Sequence, residues 1–324
     1  MLDLHFYAHK NVSYPIFMRV KVLAAIVGLG LPPGVGCRVD RRARYRGVMT
    51  THEDPSVADL TAALPLHHQV IGAPTVAEAP PLLMLHGLFG SASNWRTLGR
   101  RLAARRAVLA ADLRNHGESP WYDTMAYVEM AADVRRLLDT LGCSQVDLLG
   151  HSMGGKAAMV FALRYPQRVR RLVVVDIAPV AYSPKLLAYV RAMQAVDLGR
   201  GATRGQADRQ LAGEIASPAV RAFLLQNLRR AEGGLRWRVN LAALGAEMPV
   251  ISGFPDAVGQ AAFTGRTLFV YGLRSDYVQP SMHAGIRALF PQARLHGIVD
   301  AGHWVHAEQP DALLAAVARF LSAL

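Results

Sequence analysis

Cysteine is nearly absent from this chain of 324 residues: Cys37 and Cys143 are the only two. That excludes a disulfide framework and a cysteine-rich zinc or iron–sulfur site, and the chain needs no oxidising compartment. Charge is sparse as well. With 19% charged and 52% hydrophobic residues the composition is that of a packed globular protein rather than a disordered one. A 20-residue apolar run of the kind that spans a bilayer is missing too. The uncharged stretch from Val22 to Cys37 is too short and is broken by Pro32 and Pro33. No repeat of 20 to 50 residues is visible, which argues against a solenoid or propeller.

One charge is in excess, at a net +12, but half of it falls in residues 1 to 50, where eight Lys or Arg face only Asp3 and Asp40. The body of the chain therefore shows no basic face, and no helix-turn-helix, zinc-finger or aromatic-basic stacking motif accompanies the charge. No nucleic-acid partner is expected. Arg19 and Lys21, the apolar run to Leu31, and Gly34 and Gly36 before Cys37 resemble a signal peptide with its cut site. Four arginines between 38 and 44 would oppose export. Gly28, Gly30 and Gly34 nearly form a dinucleotide-binding loop, but the last spacing is one residue too long and two prolines stand where its helix would start. The favoured reading is a loosely ordered extension, residues 1–60, of which residues 1–48 precede an alternative start at Met49, in a cytoplasmic protein; export through the signal-like segment is the alternative.

Beyond residue 60 short apolar runs alternate with helical segments. Leu82 to Leu85, Ala107 to Ala111, Val146 to Leu149, Leu172 to Val175, Thr267 to Tyr271 and Leu295 to Val299 read as strands. Most lack polar alternation, so they are expected to be covered on both faces. Helices are expected around Trp95 to Ala104, Met125 to Leu141, Lys156 to Tyr165, Ser281 to Leu289 and Asp311 to Leu321, with Gly142 and Pro166 as stops. Regular alternation of strand and helix predicts βαβ units and a mostly parallel sheet, an α/β fold. The rhythm breaks between Pro184 and Ala262, which is Arg-, Ala- and Leu-rich without strong strand runs. The division follows: a core of residues 61–183 and 263–324, interrupted by a helical lid at 184–262.

The chemistry concentrates at Gly150-His151-Ser152-Met153-Gly154-Gly155. G-x-S-x-G forces a tight strand-to-helix turn in which only glycine clears the space, and the serine is held with its hydroxyl projecting. Val146 to Leu149 before it and Lys156 to Tyr165 after it supply the strand and the helix. The bland alternative is a Gly-rich turn whose serine merely caps the helix. A nucleophilic serine needs a base, and on this scaffold the chain order is Ser, acid, His, with the histidine after the last strand. Asp300-Ala301-Gly302-His303-Trp304 follows Leu295 to Val299, which makes His303 the candidate base. His306 nearby completes no metal site, since a third ligand is not in view. His67 and His68 are expected to be surface or packing residues, and Cys143 a small core residue. Two aspartates end suitable strands, Asp176 after Val175 and Asp276 after the Thr267 strand; geometry alone leaves both open as the acid. The oxyanion hole is expected to combine the N–H of Met153 with that of Leu88, in the loop after Leu82 to Leu85.

LHGLFGSASNW (85–95), DLRNHGESP (112–120), GHSMGGKAAM (150–159), VVDIAPV (174–180), FPQAR (290–294) and AGHWVHAEQP (301–310) together resemble the α/β-hydrolase superfamily. More narrowly they are similar to the YbfF-type esterases and their relative, abhydrolase domain-containing protein eleven. The resemblance runs from about residue 66 to the C-terminus and is weakest between 184 and 262. It implies hydrolysis of short to medium acyl esters or thioesters of small-molecule substrates, without metal or cofactor; that no stable membrane insertion is expected follows instead from the short, proline-broken apolar run. It also implies Asp176 as the acid, because the matching aspartate of VVDIAPV has that role in the YbfF-type pattern; Asp276 stands where most of the superfamily places it. Two alternatives are another reaction on the same scaffold, carbon–carbon bond hydrolysis or cofactor-free haloperoxidation, and a non-catalytic protein using the pocket as a receptor. Oligomeric state is not legible.

Overall fold

The computed structural model describes residues 63–72, 79–104, 106–258 and 262–322. The readings made for residues 1–60 lie outside them. Seven strands form one sheet: β1 (His68–Gly72), β2 (Leu82–Leu85), β3 (Val108–Ala111), β4 (Val146–His151), β5 (Val169–Val175), β8 (Arg266–Gly272) and β9 (Ala293–Ile298). Their order is β1-β3-β2-β4-β5-β8-β9, and every pairing is parallel except β1 with β3. The central strands β2, β3 and β4 are buried along their whole length. Period-2 geometry then divides each strand between two cores. Leu83, Leu85, Leu109 and Ala111 face one, and Leu82, Met84, Val108 and Ala110 face the other.

Helices cover both faces. On the first lie α2 (Tyr127–Thr140), α3 (Met153–Arg164) and α9 (His283–Leu289); on the second lie α1 (Arg96–Leu102), α10 (Val305–Glu308) and α11 (Pro310–Ser322). Met130, Val134, Leu137 and Leu138 recur at three- and four-residue spacing along α2 and form its buried stripe. The α3 helix is buried from Met153 to Leu163, because it is covered by the sheet on one side and α2 on the other. Its small residues, Gly154, Gly155, Ala157 and Ala158, let it approach the strands closely.

The observed elements start or end a few residues from the expected ones, most at β5 and α3, each of which begins three residues earlier than expected. Two departures are larger. The edge strand β9 alternates between half-buried and exposed positions, unlike the strands covered on both faces. The segment between β5 and β8 is not helical throughout. It carries α4 (Leu187–Gln194), α5 (Arg204–Ala212), α6 (Pro218–Leu225), a hairpin of β6 (Leu228–Ala231) and β7 (Gly234–Trp237), α7 (Leu241–Ala246) and α8 (Met248–Ser252). Leu-Arg-Arg-Ala and Gly-Leu-Arg-Trp contain no β-branched residue, so the hairpin has little strand signal; its turn instead uses Gly233 at φ +83°. The helices here do carry their stops and starts: Thr203 and Ser217 accept N-cap hydrogen bonds, and Pro218 sits at the first helical position.

Candidate active site

Ser152 stands between the last residue of β4 and the first of α3 with φ 52° and ψ −121°. A non-glycine residue in this region is strained and persists only where its surroundings over-determine it. Here they do. The Ser152 N–H donates to the Val175 carbonyl (3.0 Å), and its own carbonyl accepts from the Lys156 N–H (3.0 Å). A Cβ on Gly150 would collide with the Gly154 carbonyl, and one on Gly154 with the backbone of Leu85 and His86. The two glycines flanking the serine are therefore required by backbone-to-backbone approach.

The loop after β9 brings His303 to this turn, with its Nε2 3.0 Å from Ser152 Oγ and its Nδ1 2.7 Å from Asp176 Oδ2. Asp176 is wholly buried at the end of β5, also at positive φ, 52°. Its carboxylate accepts two further bonds, from the Gly272 N–H to Oδ1 (3.0 Å) and from the Ser275 hydroxyl to Oδ2 (2.5 Å). The structure brings Asp176, and not Asp276, to His303; Asp276 is exposed. Tyr277 stacks on the His303 ring, with centroids 4.0 Å apart and planes 22° from parallel. His151 Nε2 donates to the His303 carbonyl (2.9 Å), which ties the loop to the serine's own turn. Burial, then the neighbouring His306 and His303 rings, hold His151 well below the ordinary histidine pKa. It stays a neutral donor.

The loop after β2 is held by two more buried histidines. His86 Nε2 accepts the Leu113 N–H (3.0 Å) while its Nδ1 donates to the Gly87 carbonyl (2.8 Å). His116 Nε2 accepts the Phe89 N–H (3.2 Å) while its Nδ1 donates to the Arg114 carbonyl (2.9 Å). Each ring is thereby committed to one neutral tautomer, and burial pushes His116 down to about 3. Between these anchors no hydrogen bond among the described residues takes the Leu88 N–H. The Met153 N–H lies in the first turn of α3, where helical amides have no intrahelical acceptor. Leu88 and Met153 line one cavity together with Ser152.

Ser275, Tyr277 and His151 were not singled out from the sequence. Ser275 and Tyr277 come from a loop with no motif of its own, and only the strand order sets them beside Asp176 and His303. Phe223, on α6, lines the cavity bordered by Ser152 and His303 and lies 6.0 Å from the Trp304 ring. Trp237 does not line it; it is buried, and its Nε1 donates to the Met193 carbonyl. His67 pairs with Asp112 at 2.7 Å. Cys143 is half-buried against the first core. Among the described residues no three His, Cys, Asp or Glu side chains gather as metal ligands, and no helix is long and apolar enough to cross a membrane. A hydroxyl hydrogen-bonded to an imidazole that is oriented by a buried carboxylate can lose its proton to the ring as it attacks an electrophilic carbon.

Residues 80–310 match the alpha/beta hydrolase fold family. Sn-1-specific diacylglycerol lipase ABHD11 of Mus musculus is 42% identical over 267 residues, which cover 80% of this chain and 86% of that one. Esterase YbfF of Escherichia coli is 39% identical over 246 residues, covering 75% and 93%. Among solved structures, a marine microorganism esterase superposes with a TM-score of 0.76 at 34% identity, covering 80% of this chain and all of the other.

Proposed function

The chain belongs to the α/β-hydrolase family, and from that premise we propose that it is a serine hydrolase of carboxylic esters or thioesters with short to medium acyl chains. Ser152 is the nucleophile, His303 the general base and then acid, and Asp176 the group that orients the ring and balances its charge. Leu88 and Met153 donate the amides of the oxyanion hole, and residues 184–262 act as a lid over the site. The observation that carries this reading is the unbroken run of hydrogen bonds from Ser152 through His303 to Asp176, set on a strained strand-to-helix turn. That relatives at about 40% identity are named lipase and esterase supports the choice of ester among the reactions this scaffold hosts.

In the first half-reaction Ser152 Oγ bonds to the acyl carbon as its proton passes to His303 Nε2. The carbonyl oxygen gathers negative charge against the two amides, where preorganised donors stabilise the transition state more than the ground state. The carbon–oxygen (or carbon–sulfur) bond to the leaving group then breaks, and the leaving group takes the proton from His303. Water attacks the acyl-serine by the same route, returning the carboxylic acid and free Ser152.

The test is labelling with a serine-directed fluorophosphonate, mapping of the adduct by mass, and turnover of p-nitrophenyl butyrate by wild type and Ser152→Ala. The expected result is a single adduct on Ser152 and a variant that keeps its fold but only the residual rate of roughly 10³ to 10⁴ over water left to the oxyanion donors. Wild-type turnover by Ser152→Ala, or an adduct on another residue, would overturn the reading.

A further inference from the structure

Two cavities meet at Ser152. Both are bordered by Leu88, Ser152 and Leu186. The first continues past His303, Trp304, Phe223 and Leu224, and the second past Met153, Ile177, Met248, Ile251 and Lys156. Of the two, only the first has His303 in its wall. The tetrahedral carbon formed by Ser152 carries an oxyanion, a leaving oxygen or sulfur, and the acyl chain. The leaving atom must reach His303 Nε2 to collect its proton, so the leaving group extends into the first cavity. The acyl chain is left with the second, whose walls are mainly aliphatic and aromatic.

Lys156 is the exception in that wall. It is almost fully buried, one turn beyond Ser152 on α3. Its Nζ donates to the Ser252 carbonyl (2.8 Å) and the Gly253 carbonyl (2.5 Å), at the C-terminal end of α8, and lies over the Tyr182 ring at 4.8 Å. No carboxylate pairs with it among the described residues, and burial pushes the ammonium down to about 7. A cation at the open carbonyls of a helix end is favourably placed. A helix of five residues has little stability of its own, so its position depends on such ties. The Tyr127 hydroxyl adds another, to the Ile251 carbonyl (2.6 Å).

We propose that the cavity walled by Met153, Ile177, Ile251 and Lys156 is the acyl-chain subsite, and that Lys156 sets its depth by holding the end of α8 against the nucleophile's helix. This rests on the hydrolase reading above. Lys156 is a positioning residue in it, acting through α8.

The experiment uses two ester series on the full-length protein: p-nitrophenyl esters from acetate to decanoate, and acetate esters of alcohols from methanol to hexanol. Lys156→Met keeps an unbranched apolar stem one atom shorter and removes the donors, freeing the wall. It is expected to raise the decanoate-to-butyrate ratio of kcat/KM by about tenfold while the alcohol series keeps its profile. Ile251→Trp fills the cavity and is expected to move the same ratio in the opposite direction. A merely structural role for Lys156 would scale both series together. Should Lys156→Met fail to fold, Ile251→Trp and Met248→Phe carry the assignment through the same ratios. The proposal is overturned if the cavity-filling variants change the alcohol profile and leave the acyl profile alone, if Lys156→Met lowers all esters alike, or if no ratio moves. A wild-type protein that neither takes up fluorophosphonate nor hydrolyses any ester would instead overturn the hydrolase reading, and the subsite with it.

Discussion

Replacing Asp176 by Asn changes one atom, and the structure says what that atom does. Oδ1 accepts from the Gly272 N–H, a fixed backbone donor, so the amide oxygen of Asn is held there; the opposite orientation would face one N–H with another. The amide NH₂ then occupies the Oδ2 position, 2.7 Å from His303 Nδ1 and beside the Ser275 hydroxyl. Ser275 can rotate and accept. His303 can answer only by presenting a lone pair at Nδ1, which moves its proton to Nε2. An imidazole protonated at Nε2 donates to Ser152 Oγ and cannot take the serine's proton. The imidazolium that forms during attack also loses its counter-charge. For a triad of this kind the wrong tautomer costs roughly four decades of kcat, about 5.5 kcal/mol of barrier. The assay is the initial rate on p-nitrophenyl butyrate, beside Asp276→Asn, with each variant checked by circular dichroism and urea melting. Asp276 is exposed, and its substitution should leave the rate within about twofold, as for a surface change away from special contacts. A folded Asp176→Asn with near-wild-type turnover beside an inactive, folded Asp276→Asn would refute the argument.

Ser275→Ala removes one hydrogen bond to a buried carboxylate that still has two partners. A charged hydrogen bond is worth about 1.5–3 kcal/mol. Part of that should reappear as a fall of about tenfold in kcat with KM little changed, and an unaltered kcat would show that Ser275 does not support Asp176. Phe223→Ala opens the cavity that His303 borders, so it should alter discrimination among alcohols in a fixed acetate series; an unchanged alcohol profile would remove Phe223 from the pocket's working wall. Stability should fall with acid. The unfolded chain takes a proton on His116 near 6.5, whereas the folded one resists until about 3. The stability this histidine contributes is complete above 6.5 and is lost as pH falls towards 3, reaching a loss of about 2 kcal/mol by pH 5. His306, held at about 4, and His86 and His151 act in the same direction. Urea midpoints at pH 7 and pH 5 measure this, and equal values would contradict it.

The parallel sheet was legible because its central strands are covered on both faces and so favour uninterrupted apolar runs, as Leu82 to Leu85 and Leu172 to Val175 have. The serine's turn was legible for a local reason: Gly150 and Gly154 leave no room for a side chain against the backbone, and that demand is written within five residues. His303 followed from chain order. The hairpin β6–β7 was not, because its arginines and leucines pair through backbone hydrogen bonds that put little demand on side-chain type. Chain geometry left the choice between Asp176 and Asp276 open as well, and only the resemblance carried by VVDIAPV implied Asp176. Both aspartates follow a strand, Asp176 directly after β5 and Asp276 in the loop after β8, and the packing of β5, β8 and β9 turns the N–H of Gly272, the hydroxyl of Ser275 and the His303 ring towards Asp176. What the sequence by itself determined is whatever a residue requires of its near neighbours in the chain: covered strands, helix stops, the strained turn. Which carboxylate meets the imidazole, which amide stays free beside the serine, and which wall Lys156 holds depend on atoms some 30 to 150 residues apart, so only the packed tertiary structure decided them.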